Sequence, residues 1–279
     1  MIERPIAQIQ TPEKQPRPLT LSRIGRGMLR RAVGLAGLVV RQTTHGHIPT
    51  PDGHIYTVPA HMNRNDCASI MLGRYEKAEI SLLGGMRPDH TIVEIGANIG
   101  VLARHAFETR LADGGKYVCV EPNPESLQAL AANMSRAHTT YPSRNFEIIN
   151  AALCPPESNG QTADFCVRPN LSSGLLQHLK SSKNEVTIPV LTRSLSSILK
   201  EHAPKGATLI MDAEGAEIDL LTRDAGAFGN IHQIAIELHN PELTGRAVTQ
   251  ADMIDQFGAL GFAVRKHVMN SYLLTREFS

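Results

Sequence analysis

Residues 91–106 read TIVEIGANIGVLARHA. An apolar run ends in Glu94-Ile95, a loop carries Gly96 and Gly100, and a helical pattern follows. Strand, turn and helix in that order give each glycine a task. Gly96, with no Cβ, turns the chain sharply and lets a ligand approach the backbone; Gly100 lets the helix start pack closely. A glycine pair alone is also satisfied by a purely structural turn, so its neighbours decide the reading.

Around this stretch the chain alternates between strand and helix patterns. Strands are expected at TIVEI (91–95), KYVCVE (116–121), FEIINAAL (146–153), TLIMDA (208–213) and IHQIAIEL (231–238). Helices are expected near 99–111, 124–137, 193–202, 215–225 and 249–260. FAVRK (262–266) and SYLLTR (271–276) read as a closing hairpin. Continuous apolar runs mark strands buried on both faces, and alternating β and α units imply a doubly wound, mostly parallel sheet with right-handed crossovers. The hairpin adds an antiparallel strand at one edge. Upstream, PDGHIYTVP (51–59) reads as a turn at Asp52-Gly53 entering a short strand, and 66–84 as one or two helices. Residues 154–192 are polar and longer than a connection requires, which predicts a lid or substrate wall over the carboxyl ends of the strands.

Composition narrows the class. The 279 residues suffice for a sizeable core, and a net charge of +1 recruits no polyanion, so no nucleic acid partner is expected. Cys67, Cys119, Cys154 and Cys166 form no CxxC pair, which argues against a disulfide framework or cysteine zinc site and for a reducing, cytoplasmic setting. Residues 1–18, with Pro5, Pro12, Pro16 and Pro18, are expected to be a disordered tail. AVGLAGLVV (32–40) is about half the length that spans a bilayer. It follows Arg23, Arg26, Arg30 and Arg31 without a small-residue cleavage site, so 19–48 reads as a basic amphipathic segment and not a signal peptide. A helix over 19–41 is expected to pack on the body; a partner or a membrane surface is the alternative. A homo-oligomer is compatible with all of this.

In open α/β sheets ligands bind outside the carboxyl ends of the strands, where strand order reverses. The second strand there ends in Glu121-Pro122-Asn123-Pro124. A carboxylate at that point can accept from both hydroxyls of a ribose. Dinucleotide sites carry G-x-G-x-x-G, whereas this chain has G-A-N-I-G and lacks the glycines that admit a pyrophosphate. Glu94 sits badly beside phosphate and well beside an amine or sulfonium, and that sign favours S-adenosylmethionine over NAD. Asp212 and Glu214 follow the next apolar run and place a carboxylate pair at the cleft, able to orient an acceptor hydroxyl, act as base or bind a divalent ion. Glu217 reads as a charge stabilising a helix N-terminus. His239, after Glu237-Leu238, titrates near neutrality and is a candidate general base; His178 is a second histidine in the insertion. Ser172, Ser173 and Gly174 are expected to contact substrate.

These pieces together resemble the FkbM-type family of S-adenosylmethionine-dependent methyltransferases. The pieces run in family order: Asp52-Gly53, Tyr75-Glu76, Glu94-Ile95-Gly96-Ala97-Asn98-Ile99-Gly100, Glu121-Pro122-Asn123-Pro124, Asn150-Ala151-Ala152, Asp212-Ala213-Glu214-Gly215-Ala216-Glu217 and Ile234-Ala235-Ile236-Glu237. Glu94 replaces the family's commoner aspartate, and Ser196 stands where another aspartate is usual.

The resemblance implies a Rossmann-like class I methyltransferase domain over 49–279. It further implies that Gly96, Ala97, Asn98 and Gly100 wrap the methionine part of the cofactor, with Glu94 near its amine. Tyr75-Glu76 would reach its amino-acid end, an exposed helix charge being the alternative for Glu76; Glu121-Pro122-Asn123 would take the ribose, and Asn150-Ala151 would lie by the adenine. Asp212 would serve cofactor and substrate, with Glu214 and His239 beside it as the catalytic set; positioning is preferred over metal binding, and no metal ligand is assigned. The implied acceptor is a hydroxyl on a sugar or secondary metabolite. With 4% aromatic residues and no Trp, a flat stacked acceptor is less expected. The alternatives are N-methylation of a small molecule, a non-catalytic S-adenosylmethionine-binding protein and, against the glycine pattern, an NAD-type oxidoreductase.

Overall fold

The computed structural model describes residues 21–60, 62–167, 174–175, 186–239 and 247–276. The expectations for residues 1–18, Ser172, Ser173 and His178 fall outside them. In chain order, α1 (Leu21–Thr43) leads to the hairpin of β1 (His47–Pro49) and β2 (Ile55–Thr57), then α2 (Arg64–Met71) and α3 (Lys77–Leu83). The alternating part follows as β3 (Asp89–Ile95), α4 (Val101–Thr109), β4 (Leu111–Val120), α5 (Pro124–Thr140) and β5 (Asn145–Ile149). Next come β6 (Ala152–Leu153), β7 (Thr162–Val167), β8 (Gly174–Leu175), β9 (Val186–Arg193) and α6 (Leu195–His202). The chain then forms β10 (Ala207–Met211), α7 (Glu217–Arg223), β11 (Ile231–Glu237), α8 (Gln250–Ala259), β12 (Phe262–Val268) and β13 (Ser271–Arg276).

The main sheet has seven strands in the order β12-β13-β11-β10-β3-β4-β5. Every pair from β11 to β5 is parallel, and β13 runs antiparallel between β11 and β12. The chain moves from β3 outward to β5, then returns to lay β10 on the other side of β3, so strand order reverses between β3 and β10. That reversal leaves the carboxyl ends of β3, β4 and β10 around one crevice.

Alternation along β3 separates two cores. Val93 and Ile95 face a layer with Val118, Leu209, Met211 and side chains of α6, α7 and α8, including Ile198, Leu220 and Phe257. Ile92 faces the opposite layer with Tyr117, Cys119, Ile210 and side chains of α3, α4 and α5, including Leu82, Phe107 and Met134. Each such fully buried side chain contributes about 1.5–3 kcal/mol, which explains why both faces of these strands are apolar. Cys67, Cys119, Cys154 and Cys166 are all buried and form no disulfide.

The N-terminal helix lies on the body. Gly37 sits so close to α2 that a Cβ there would stand 2.6 Å from the Ala68 nitrogen, and Arg41 donates to the Ala60 and Met62 carbonyls at 2.6 Å each. Leu35 and Val39 on its outer side are exposed. Among the described residues no helix is long and apolar enough to cross a membrane.

One expectation is corrected. FEIINAAL is not one strand: it divides at Asn150-Ala151 into β5 and β6, because the Asn150 amide turns back to donate to the carbonyls of Glu121 and Pro122. Within the polar stretch 154–192, β7 pairs with β8 and β9, and β9 pairs with β6, in a small second sheet.

Candidate active site

The crevice at the strand reversal is a cleft with about 610 Å³ of space unfilled by atoms, part of it open to solvent. Its donor end is shaped by the loop after β3. Gly96 (φ +82°) turns there, and a Cβ on it would stand 1.8 Å from the Asp212 carbonyl oxygen. The close approach that glycine permits is therefore to the end of β10, a different reason from the ligand contact expected from sequence. Gly100 (φ +80°) caps α4, where a Cβ would meet Leu130 at 2.7 Å, a packing requirement as anticipated. Asn98 takes a left-handed conformation, lines the cleft and donates from its amide to the Tyr75 hydroxyl at 3.0 Å.

Glu121 closes the loop from the next strand. Its carboxylate accepts from the backbone N–H groups of Asn98 and Asn123, both at 2.8 Å, and it lines the cleft beside Pro122 and Asn123. Burial pushes its carboxyl up to about 7, although both hydrogen bonds pull the other way. Asn123 also caps α5, accepting from the Glu125 nitrogen.

At the far side stand the acids. Asp212 follows β10, and Glu214 sits in a left-handed conformation rare for that residue type, with Gly215 also at positive φ. Glu217, nearly fully buried, accepts from the Ala213 nitrogen at 3.2 Å and pairs with His239 Nδ1 at 3.1 Å. His239 Nε2 lies 3.6 Å from Asp212 and 3.5 Å from Glu214. Burial pulls the His239 pKa down, but the carboxylates of Glu217, Asp212 and Glu214 outweigh it and raise it to about 10. The Asp212 carboxyl is pushed well above its usual range by burial and by Glu214 and Glu237, with His239 opposing. Asp212 Oδ1 is buried without a hydrogen-bond partner. Asp212, Glu217 and His239 each offer a ligand-type atom within 4.8 Å of one another, a set able to hold a divalent cation, although here Glu217 and His239 engage each other.

The structure thus brings Gly96, Asn98, Glu121, Pro122, Asn123, Ala151, Asp212 and Glu214 to one cleft. Other expected residues stand behind it. Glu94 shares the sheet face of Ile92 and accepts from the Tyr117 hydroxyl at 2.7 Å; burial raises its carboxyl to about 7. Glu76 accepts from the Leu102 nitrogen at 2.7 Å, anchoring the start of α4. Ala97 is buried, and Asn150 braces the Glu121-Pro122 backbone. His239 is expected from sequence to titrate near neutrality, whereas the carboxylates around it push its pKa up to about 10. Ser196, in place of an aspartate, still meets an acid, since its nitrogen donates to Asp224 at 3.0 Å.

Sequence reasoning missed Ser126, Leu153, Phe165, Ala213 and Ala216 in the lining. Apolar residues of β6 and β7 carry no chemical signature, and only the fold of the insertion brings Phe165 to the cleft.

The family model of the methyltransferase FkbM domain matches residues 94–264. Among solved structures, the chain is similar to methyltransferase FkbM from Methylobacillus flagellatus KT, at 16% identity over 76% of this chain and 52% of that one, with a TM-score of 0.42. It is also similar to precorrin-6y C5,15-methyltransferase from Geobacter metallireducens GS-15, at 12% identity over 72% of this chain and 88% of that one, with a TM-score of 0.40. Aeropyrum pernix fibrillarin with natively bound S-adenosyl-L-methionine matches at 14% identity over 70% of this chain and 71% of that one, with a TM-score of 0.37. The comparison with curated proteins found no match.

Proposed function

The chain belongs to the FkbM methyltransferase family and is an S-adenosylmethionine-dependent methyltransferase, and from that premise we propose that it methylates a hydroxyl group of a sugar or other small metabolite. The observation that carries this reading is Asp212 Oδ1, buried at the cleft without a hydrogen-bond partner.

The residues present fit the cofactor. Cations suit a cleft where Asp212 and Glu214 face inward and Glu94, Glu76 and Glu237 stand behind. Glu121, with one oxygen on each backbone N–H, keeps lone pairs for a ribose diol. Ala151, Leu153, Phe165 and Ala216 supply an apolar slot suited to adenine. When bound, S-adenosylmethionine supplies an electrophilic methyl group on a sulfonium.

This chain's residues do the rest. An alcohol must lose its proton as its oxygen is methylated, so it needs an acceptor group in the cleft. Asp212, whose carboxyl burial and neighbouring acids make more basic than an ordinary carboxylate, takes that proton at Oδ1. His239, held as imidazolium against Glu217, orients Asp212 and Glu214 and balances their charge. The acids also repel phosphate, against a nucleic acid substrate. No step in this reading passes through a metal.

The test is a methyl-labelled turnover assay against a panel of hydroxylated and amino acceptors, with product NMR. Label on oxygen supports the proposal. Label on nitrogen, or no S-adenosylhomocysteine formed with any acceptor, overturns it.

A further inference from the structure

Outside the cleft, the turn that enters β2 meets the middle of α4. Asp52, His54 and His105 converge there, and none of them lines the donor cleft. We propose that these residues form a binding site for a divalent transition-metal ion, with Zn²⁺ the best fit.

The Asp52 Oδ2 atom lies 3.2 Å from His54 Nδ1 and 3.6 Å from His105 Nε2, and the set offers ligand atoms all within 4.8 Å of one another. Tetrahedral zinc with bonds of about 2.0–2.2 Å holds neighbouring ligand atoms about 3.3–3.6 Å apart. Closing the ring therefore takes rotamer adjustments smaller than an ångström on the two short sides. Two imidazoles and a carboxylate suit zinc better than Mg²⁺ or Ca²⁺, which take oxygen ligands. Asp52 is half-exposed, so solvent can reach the fourth position.

Each ligand is also oriented. Thr50 Oγ1 donates to Asp52 Oδ1, leaving Oδ2 to face the histidines. His54 Nε2 stands 3.0 Å from Glu108 Oε2, the carboxylate–imidazole pairing that leaves the other ring nitrogen free to bind a metal. That other nitrogen, His54 Nδ1, is buried and makes no hydrogen bond, although Asp52 is within reach. Glu108 also receives Arg104 Nε at 2.8 Å, so the guanidinium charge is matched before it reaches the site. The arrangement escapes a sequence reading because His54 and His105 lie far apart in the chain, on different elements.

The experiment is calorimetric titration of the chelator-stripped full chain with ZnCl₂, with metal analysis after gel filtration. One Zn²⁺ per chain is expected. Glu108→Gln should weaken binding about 10–100-fold. His105→Ala should abolish it, while His239→Ala, which alters the acids at the donor cleft, should keep it. Absorption of a Co²⁺-loaded sample, present in the wild type and lost in His105→Ala, reads the same site. Should His105→Ala fail to fold, judged by circular dichroism and S-adenosylhomocysteine binding, Asp52→Asn gives the same readout from a more exposed position. No zinc binding, or binding lost in His239→Ala and kept in His105→Ala, overturns the proposal.

Discussion

Replacing Glu121 by Gln isolates the acid assigned to the ribose. In the wild type each carboxylate oxygen accepts one backbone N–H, from Asn98 and from Asn123, at 2.8 Å. An amide offers one oxygen, so its NH₂ must face one of those N–H groups. That buried donor then lacks a partner, at a cost of about 1–3 kcal/mol in stability. The same side loses its acceptor for a ribose hydroxyl, a charged hydrogen bond of about 1.5–3 kcal/mol. Cofactor affinity should therefore fall roughly 10- to 150-fold. Because burial holds the Glu121 pKa at about 7, wild-type affinity should also drop as pH falls through that value, when the acid gains a proton and loses an acceptor site. The Gln variant should lack that step. Calorimetry with S-adenosylhomocysteine on both sides of neutrality reads both effects. A folded Glu121→Gln protein within about twofold of wild type, or one keeping the pH step, refutes the ribose assignment.

Asp212→Asn should lower kcat about 10²–10⁴-fold at saturating cofactor; single-turnover kinetics check this, and unchanged turnover removes Asp212 as proton acceptor. Gly96→Ala should destabilise the fold by about 2–5 kcal/mol, from the left-handed φ and the overlap with the Asp212 carbonyl, read by urea unfolding; a neutral effect would mean the two loops are not in contact. The apoprotein should lose stability as pH rises from weakly acidic to alkaline. Burial raises Glu94, Glu121 and Glu237 to about 7, so their contribution is full below the ordinary carboxyl range and lost through about 7. His239, raised to about 10, has its contribution in full below the ordinary histidine value and loses it through about 10. Thermal unfolding followed by circular dichroism should show Tm declining over that window, and a flat or rising Tm contradicts the sign.

Much of the architecture was legible because the driving pattern is local. Runs such as LIM (209–211) and YVCV (117–120) are apolar at every position, and only a strand covered on both sides needs that. The break at Asn150 was not legible, since it depends on an amide reaching carbonyls on another strand. Among site residues, Glu121 and Asp212 could be read from their position at strand ends. The state of His239 could not, because its charge is set by Glu217, Asp212 and Glu214, which converge only after folding. Glu94 was placed by its charge at the ligand, but alternation along β3 turns it to the face of Ile92 and Tyr117. The Phe165 contact needed the second sheet, whose sequence is polar and uninformative about where it docks.

The Asp212 carbonyl occupies the space a side chain on Gly96 would need. The turn assigned to the donor and the strand end assigned to proton transfer thus meet backbone to backbone, with no side chain between them to be varied. Residue changes there cannot retune one without displacing the other. Diversity of acceptor in such a scaffold has to be written elsewhere, and the small sheet carrying Phe165 is the part of the wall free to change.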